Sequence, residues 1–317
     1  MRVAFVFPGQ GAQEVGMGRS LAESFPESRA VFVEADRALE GDPVPLSTLC
    51  FQGPAADLTL TANTQPAILA TSLAALAALR ARAPAVEPVM LAGHSLGEYS
   101  ALVAAGALSL DAALRLLRLR GSAMQHAVAP GVGAMAAVIG LDDDVVVGLC
   151  AAVAAETGRV VQAANFNCPG QVAVAGHAEA VARLRERVAS AGGKSLPVQV
   201  SAPFHCALMA PAALRLEAAL AAVTPSPLRV PVMANCDGAP YGDRAVGELL
   251  VRQVAGAVRW TDCVRHMLAA GVDTFVELGP GRVLAGLIKR IDRGVRVLSV
   301  GDAPSLDAAV RVLSEAS

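Results

Sequence analysis

Short apolar runs alternate along this chain with longer stretches of helical periodicity. Residues 3–7 (VAFVF) are continuously apolar, are closed by Pro8-Gly9-Gln10-Gly11, and read as a first buried strand. Residues 21–39 read as mostly helical and residues 43–54 as a loop. Residues 61–66 (TANTQP) read as a turn, with Asn63 and Gln65 as caps, ahead of an Ala/Leu helix over 67–82. A second apolar run at 88–92 leads into Gly93-His94-Ser95-Leu96-Gly97, and helices over 98–105 and 109–128 follow.

The pattern then changes character. A strand at 133–140, a helix at 142–156, strands at 160–165 and 171–176, a helix at 177–191 and a strand at 194–200 succeed one another. The turn at 167–170 makes the middle strands a hairpin. The order β-α-β-β-α-β is ferredoxin-like, so residues 129–197 read as a small subdomain. It is inserted into a larger one made of residues 1–128 and 198–317. Further on, helices at 210–223, 245–254, 260–270 and 284–291 alternate with β-type runs at 229–234, 273–278 and 295–300. This alternation predicts an α/β domain with a mostly parallel sheet covered on both faces.

Composition narrows the function. The chain has 317 residues, 54% of them hydrophobic and 17% charged, enough for a full core. A net charge of −2 offers no footprint for nucleic acid. The apolar stretch at 67–79 is interrupted by Thr71 and Ser72 and falls short of a membrane span. Cysteines 50, 150, 168, 206, 236 and 263 are scattered without a C-x-x-C pair, so neither a zinc site nor a disulfide framework is indicated. A cytoplasmic, reduced protein is expected.

Three residue types carry candidate chemistry. A strand, G-x-S-x-G and a helix make a nucleophile elbow, which holds Ser95 clear of the sheet at the positive end of the helix. The same motif also occurs as a plain glycine-rich turn. In the helix at 109–128, at about 100° per residue from Leu114, the residues Leu117, Gly121 and Met124 cluster at roughly 280–340° with Leu116 near 200°, and Arg120 falls near 240°, inside that apolar arc. A guanidinium there needs an anionic partner, from the protein or from a ligand. Of the five histidines, His205 lies on a loop where the chain re-enters the large domain and is the best candidate base. The Gly9–Gly11 loop could turn backbone N–H groups toward a developing anion, or be a simple strand-to-helix turn.

With these residues in place, the whole chain resembles the malonyl-CoA:acyl carrier protein transacylases, of the acyltransferase family of fatty-acid and polyketide synthesis. The stretches that carry the resemblance are FPGQGAQ (7–13), TANTQPA (61–67), GHSLGEYSAL (93–102), LRGSAMQ (119–125), AANFNCPGQ (163–171), APFHCALM (202–209), RWT (259–261) and ELGPG (277–281). The resemblance implies an α/β-hydrolase-like large domain and a ping-pong transfer from malonyl-CoA to the phosphopantetheine thiol of acyl carrier protein, in fatty-acid biosynthesis. In it Ser95 is the nucleophile and His205 the base, and the Gln10 and Leu96 N–H groups form the oxyanion hole. Arg120 grips the malonyl carboxylate, the carbonyl of Gln253 orients His205, and Gln65 and Asn165 line the cleft. Leu96 and Phe204 resemble malonyl-selective members. No metal or cofactor is implied beyond the coenzyme A thioester that serves as substrate. A monomer is expected, with no nucleic-acid or membrane partner and with a basic rim for the acidic carrier protein drawn from Arg187, Lys194, Lys289 and Arg290. The alternatives are an acyltransferase serving a polyketide synthase, an α/β-type thioesterase or esterase, and a catalytically dead docking subunit.

Overall fold

The computed structural model describes residues 1–200 and 202–315; Ser201 and the last two residues of the 198–317 segment lie outside the described residues. Its strands are β1 (Val3–Phe7), β2 (Met90–Gly93), β3 (Gly133–Ile139), β4 (Val161–Cys168), β5 (Gln171–His177), β6 (Lys194–Val198), β7 (Met233–Ala234), β8 (Ala239–Pro240), β9 (Thr274–Leu278) and β10 (Arg296–Val300). One sheet has the order β10-β9-β1-β2, and every pairing in it is parallel. Side-chain alternation sorts β1 onto two cores. Val3, Phe5 and Phe7 join the cluster containing Leu69 and Leu73, whereas Ala4 and Val6 join the one containing Trp260, Val264 and Ile288. A strand covered on both faces can be apolar throughout, as this one is.

The second sheet is antiparallel, in the order β4-β5-β3-β6. The helices Asp143–Thr157 and Ala178–Ser190 bury Val146, Val153, Val181 and Leu184 against one face of it. The chain order is the β-α-β-β-α-β read from the pattern. The opposite face carries Met135, Ala137 and Ala173 toward a cleft shared with the parallel sheet. Val258, which packs in the same core as Ala4 and Val6 of β1, is hydrogen-bonded to β4: its carbonyl accepts from Phe166 N–H at 2.9 Å and its N–H donates to Ala164 O at 2.8 Å.

Several element boundaries differ from expectation, each for a local reason. The helix expected over 21–39 is two, Arg19–Ser24 and Pro26–Ala38, because Phe25 is extended and Pro26 opens the second at its first turn. The loop expected at 43–54 contains the helix Leu46–Gln52. The turn at 61–66 is already helix, running Thr61–Arg82, so Asn63 and Gln65 are helical residues and not caps. Pro66 inside it deprives the Ala62 carbonyl of its intrahelical donor, and the Arg118 guanidinium supplies one at 2.7 Å. Of the β-type run at 229–234, Met233–Ala234 forms β7 and Val232 bridges Leu91 beside β2. A last helix, Ala303–Glu315, follows β10, beyond the elements read from the pattern.

Candidate active site

β2 delivers the chain to a turn in which Ser95 has φ 53° and from which the helix Gly97–Ala104 departs. Steric contact dictates the flanking glycines. A Cβ on Gly93 would lie 1.9 Å from the Gly97 backbone, and one on Gly97 would lie 2.2 Å from the Phe7 carbonyl. The turn is braced from behind by Asn235. Its Oδ1 accepts from Ser95 N–H at 2.7 Å and its Nδ2 donates to Gly93 O at 2.7 Å. A non-glycine residue in the left-handed region is strained, and His205, at φ 60°, is the other one in the described chain.

Those two residues meet. His205 Nε2 lies 2.7 Å from Ser95 Oγ, and His205 Nδ1 lies 2.9 Å from the Gln253 carbonyl. A carbonyl can only accept, so Nδ1 carries the proton and Nε2 offers its lone pair to the hydroxyl. Burial, helped by the nearby Arg120 charge, pushes the His205 pKa down to about 3. The imidazole is therefore neutral and able to take a proton at neutral pH. Burial also lowers the pKa of His94, which bonds Asn167 through Nε2 at 3.0 Å.

Arg120 is 1% exposed. Its Nη1 donates to Gln65 Oε1 at 2.7 Å, and its Nη2 donates to Gln253 Oε1 at 2.9 Å and to Ser95 Oγ at 3.1 Å. Its Nε has no hydrogen-bond partner among the described residues. Tyr99 stands 5.7 Å below the guanidinium, in cation–π contact. Among the described residues no carboxylate lies within ion-pair distance of it. The helical-wheel position is thus buried as expected, but the partners found in the protein are neutral.

Ser95, His205, Arg120, Gln10, Gln65, Leu96, Asn165 and Phe204 all line one cleft of about 600 Å³. Among the described residues, the Gln10 and Leu96 N–H groups make no backbone hydrogen bond. Gln253 is fully buried behind the wall and reaches the site through His205, Arg120 and the Ser95 carbonyl. Of the rim candidates, Arg290 bonds Gln171 of the cleft at 2.6 Å, whereas Arg187 is tied to Glu156 at 2.8 Å and Lys289 to backbone carbonyls. Sequence reasoning missed Glu98, Asn235 and Tyr241. Glu98 is fully buried, and burial pushes its pKa up to about 7 against the pull of Tyr241, Gln253, Asn235 and Arg120. Its one local signal is a carboxylate directly after the elbow, in the first turn of an otherwise apolar helix.

A serine hydroxyl bonded to a neutral imidazole, with a buried cation beside it, can form an ester with an acyl group that carries a negative charge. Residues 4–303 match the family described as acyl transferase domain. The chain belongs to the acyl transferase family. It is 43% identical over 316 residues to the malonyl CoA-acyl carrier protein transacylase of Bacillus subtilis strain 168, covering 99% of this chain and 98% of that one. The crystal structure of the transacylase of that name from Clostridium perfringens superposes with a TM-score of 0.95 at 38% identity, covering 99% and 98% of the two chains. A malonyl-transacylase solved in complex with a type II PKS acyl-carrier protein superposes at 0.92 with 43% identity, covering 98% of this chain and all of that one.

Proposed function

We propose that this enzyme transfers a malonyl group from malonyl-CoA to the phosphopantetheine thiol of an acyl carrier protein, through a malonyl ester on Ser95. The observation that carries this reading is Arg120, a buried cation without a direct counter-charge among the described residues, 3.1 Å from the nucleophile. A carboxylate on the acyl group completes a pair that the protein leaves open, most strongly if the contact is bidentate.

Ser95 Oγ attacks the thioester carbonyl as its proton passes to His205 Nε2. The Gln10 and Leu96 N–H groups, both on the cleft wall, hold the oxyanion. Collapse breaks the C–S bond, and the imidazolium returns the proton to the departing thiolate. In the second half, His205 takes the proton of the carrier thiol, whose sulfur attacks the ester, and Ser95 leaves with that proton. The Gln253 carbonyl orients His205 in place of a third acid. Apolar side chains on the wall, Met124, Met135 and Phe204 among them, disfavour water at the ester. The thioester is itself the activated donor, so no further cofactor enters the scheme.

In this reading the parallel-sheet part, residues 1–128 and 198–317, is an α/β-hydrolase-like subdomain, and residues 129–197 are a ferredoxin-like one that walls the cleft. The parallel sheet with its strand–turn–helix at Ser95 and the β-α-β-β-α-β order support this division. Arg290, at the edge of the cleft, is the rim cation best placed for an acidic carrier. The enzyme acts in the cytoplasm, as a monomer, in fatty-acid synthesis. A second reading, service to a polyketide synthase, is favoured by the likeness to the malonyl-transacylase paired with a type II PKS acyl-carrier protein. A thioesterase would leave Arg120 without a purpose. Malonyl-, methylmalonyl- and acetyl-CoA competed for one holo carrier protein, with products read by mass, test the assignment. Malonyl product dominates if it is right, and acetyl product in equal yield overturns it.

A further inference from the structure

Glu98 plays no part in the scheme above, yet the fold buries it completely, directly behind the nucleophile. A buried carboxylate is costly unless its oxygens are occupied. Here they are. Oε1 accepts from the Tyr241 hydroxyl, and Oε2 accepts from Asn235 N–H at 3.0 Å and from Gln253 Nε2 at 2.8 Å. No ion pair reaches it among the described residues, so its contacts are directional and short of neutralising.

The contact with Gln253 constrains more than Glu98. The same Nε2 donates to the Ser95 carbonyl at 2.9 Å, so the amino end of this side chain faces two acceptors. Its oxygen then has one direction left, toward Arg120 Nη2 at 2.9 Å. Flipping the carboxamide would set oxygen against a carboxylate and a carbonyl, and N–H against a guanidinium that only donates. Gln65 Oε1 holds the other terminal nitrogen at 2.7 Å. The guanidinium is thus aimed by two neutral oxygens, while the nearest anionic group stands one residue further back. Glu98 in direct contact would fill the place of a ligand carboxylate; at one remove it leaves that place open.

We propose that Glu98 is a positioning residue for acyl-group selection: it locks the Gln253 carboxamide, which holds the Arg120 fork facing the cleft. The inference rests on Arg120 receiving the acyl carboxylate, as proposed above. It assigns the role to the orientation of acceptor oxygens, with charge secondary, and two variants separate those. Glu98→Gln keeps the length and can present its oxygen to Asn235 and Gln253, with its NH2 toward the Tyr241 oxygen. Glu98→Asp keeps the charge but withdraws the acceptors by one carbon.

The readout is the ratio of kcat/KM for malonyl-CoA to that for acetyl-CoA with one carrier protein, beside thermal unfolding of each variant. Glu98→Gln retains the wild-type ratio. Glu98→Asp lowers it by about tenfold, the worth of one aligned charge-assisted hydrogen bond, mainly through a higher KM for malonyl-CoA. Glu98→Ser serves as the second truncation should the aspartate variant not fold, with the same loss expected. An unchanged ratio in the truncations overturns the proposal and leaves Glu98 a purely structural group. A ratio kept by Glu98→Asp and lost by Glu98→Gln overturns it in favour of charge. If wild-type enzyme shows no malonyl preference, or Arg120→Ala keeps that preference, the acyl reading has failed instead.

Discussion

Replacing Arg120 by alanine separates recognition of the acyl group from the chemistry of transfer. The wild-type guanidinium is buried, holds the Ser95 hydroxyl at 3.1 Å, and has neutral amides as its other partners. A malonyl carboxylate seated on it is a desolvated charge pair. Removing one member of such a pair leaves the other unpaired, at a cost of about 2–5 kcal/mol. At about 1.4 kcal/mol per factor of ten, a mid-range loss of roughly 3 kcal/mol lowers malonyl kcat/KM by about 10²-fold. Acetyl transfer has no carboxylate to strand and loses only the contact to Ser95 Oγ, a long charge-assisted hydrogen bond at the weak end of its class, about 1.5 kcal/mol or about tenfold. The ratio of the two therefore falls by at least about tenfold. The variant also strands the side-chain oxygens of Gln65 and Gln253, so its thermal unfolding must be followed to confirm that the rates come from folded protein. The assay is transfer from each coenzyme A ester to a holo carrier protein, quantified by intact mass over initial times. Equal losses for malonyl and acetyl groups would refute the reasoning, since Arg120 would then serve the nucleophile and not the substrate.

The other residues give sharper single outcomes. His205→Ala retains the fold but slows Ser95 acylation by about 10²–10⁴-fold, measured by rapid-quench mass analysis; a near-normal rate means another base. Burial lowers the His205 pKa to about 3, below its ordinary 6.5, so the neutral base persists as pH falls. The acid limb of kcat/KM for malonyl-CoA then lies well below 6.5, and a half-loss of rate centred near 6.5 contradicts a buried, neutral His205. Gly97→Ala forces a Cβ to 2.2 Å from the Phe7 carbonyl. Overpacking of that kind destabilises by about 1–3 kcal/mol, seen as a lower midpoint in denaturant titration; an unchanged midpoint would mean that the elbow has slack.

How much of this was legible in the chain depends on how local the cause is. The elbow was, because its strand, glycines and helix are contiguous and the contact that demands Gly93 lies within the same turn, although the one that demands Gly97 comes from Phe7 of β1. Arg120 was, because helical periodicity places a charge in an apolar arc whatever it pairs with. His205 could be chosen over four other histidines, but its left-handed backbone could not be read, and its bond to Gln253 came only through the family resemblance, since 48 residues separate the partners. Glu98 shows the limit most clearly. Its donors, Tyr241, Asn235 and Gln253, come from 137 to 155 residues away, and only the folded chain brings them together. The helix boundaries went astray for the opposite reason. Pro66 looks like a helix stop in sequence, and is tolerated because Arg118, from another helix, satisfies the carbonyl that the proline frees.

The central claim is that Ser95 carries the acyl group between two thiols. Brief incubation of the enzyme with malonyl-CoA, followed by acid quench, intact mass and peptide mapping, tests it directly. The account predicts one malonyl adduct, on the peptide containing Ser95, discharged when holo carrier protein is added. An adduct on another residue, no adduct at all, or an adduct that the carrier thiol cannot discharge would contradict it.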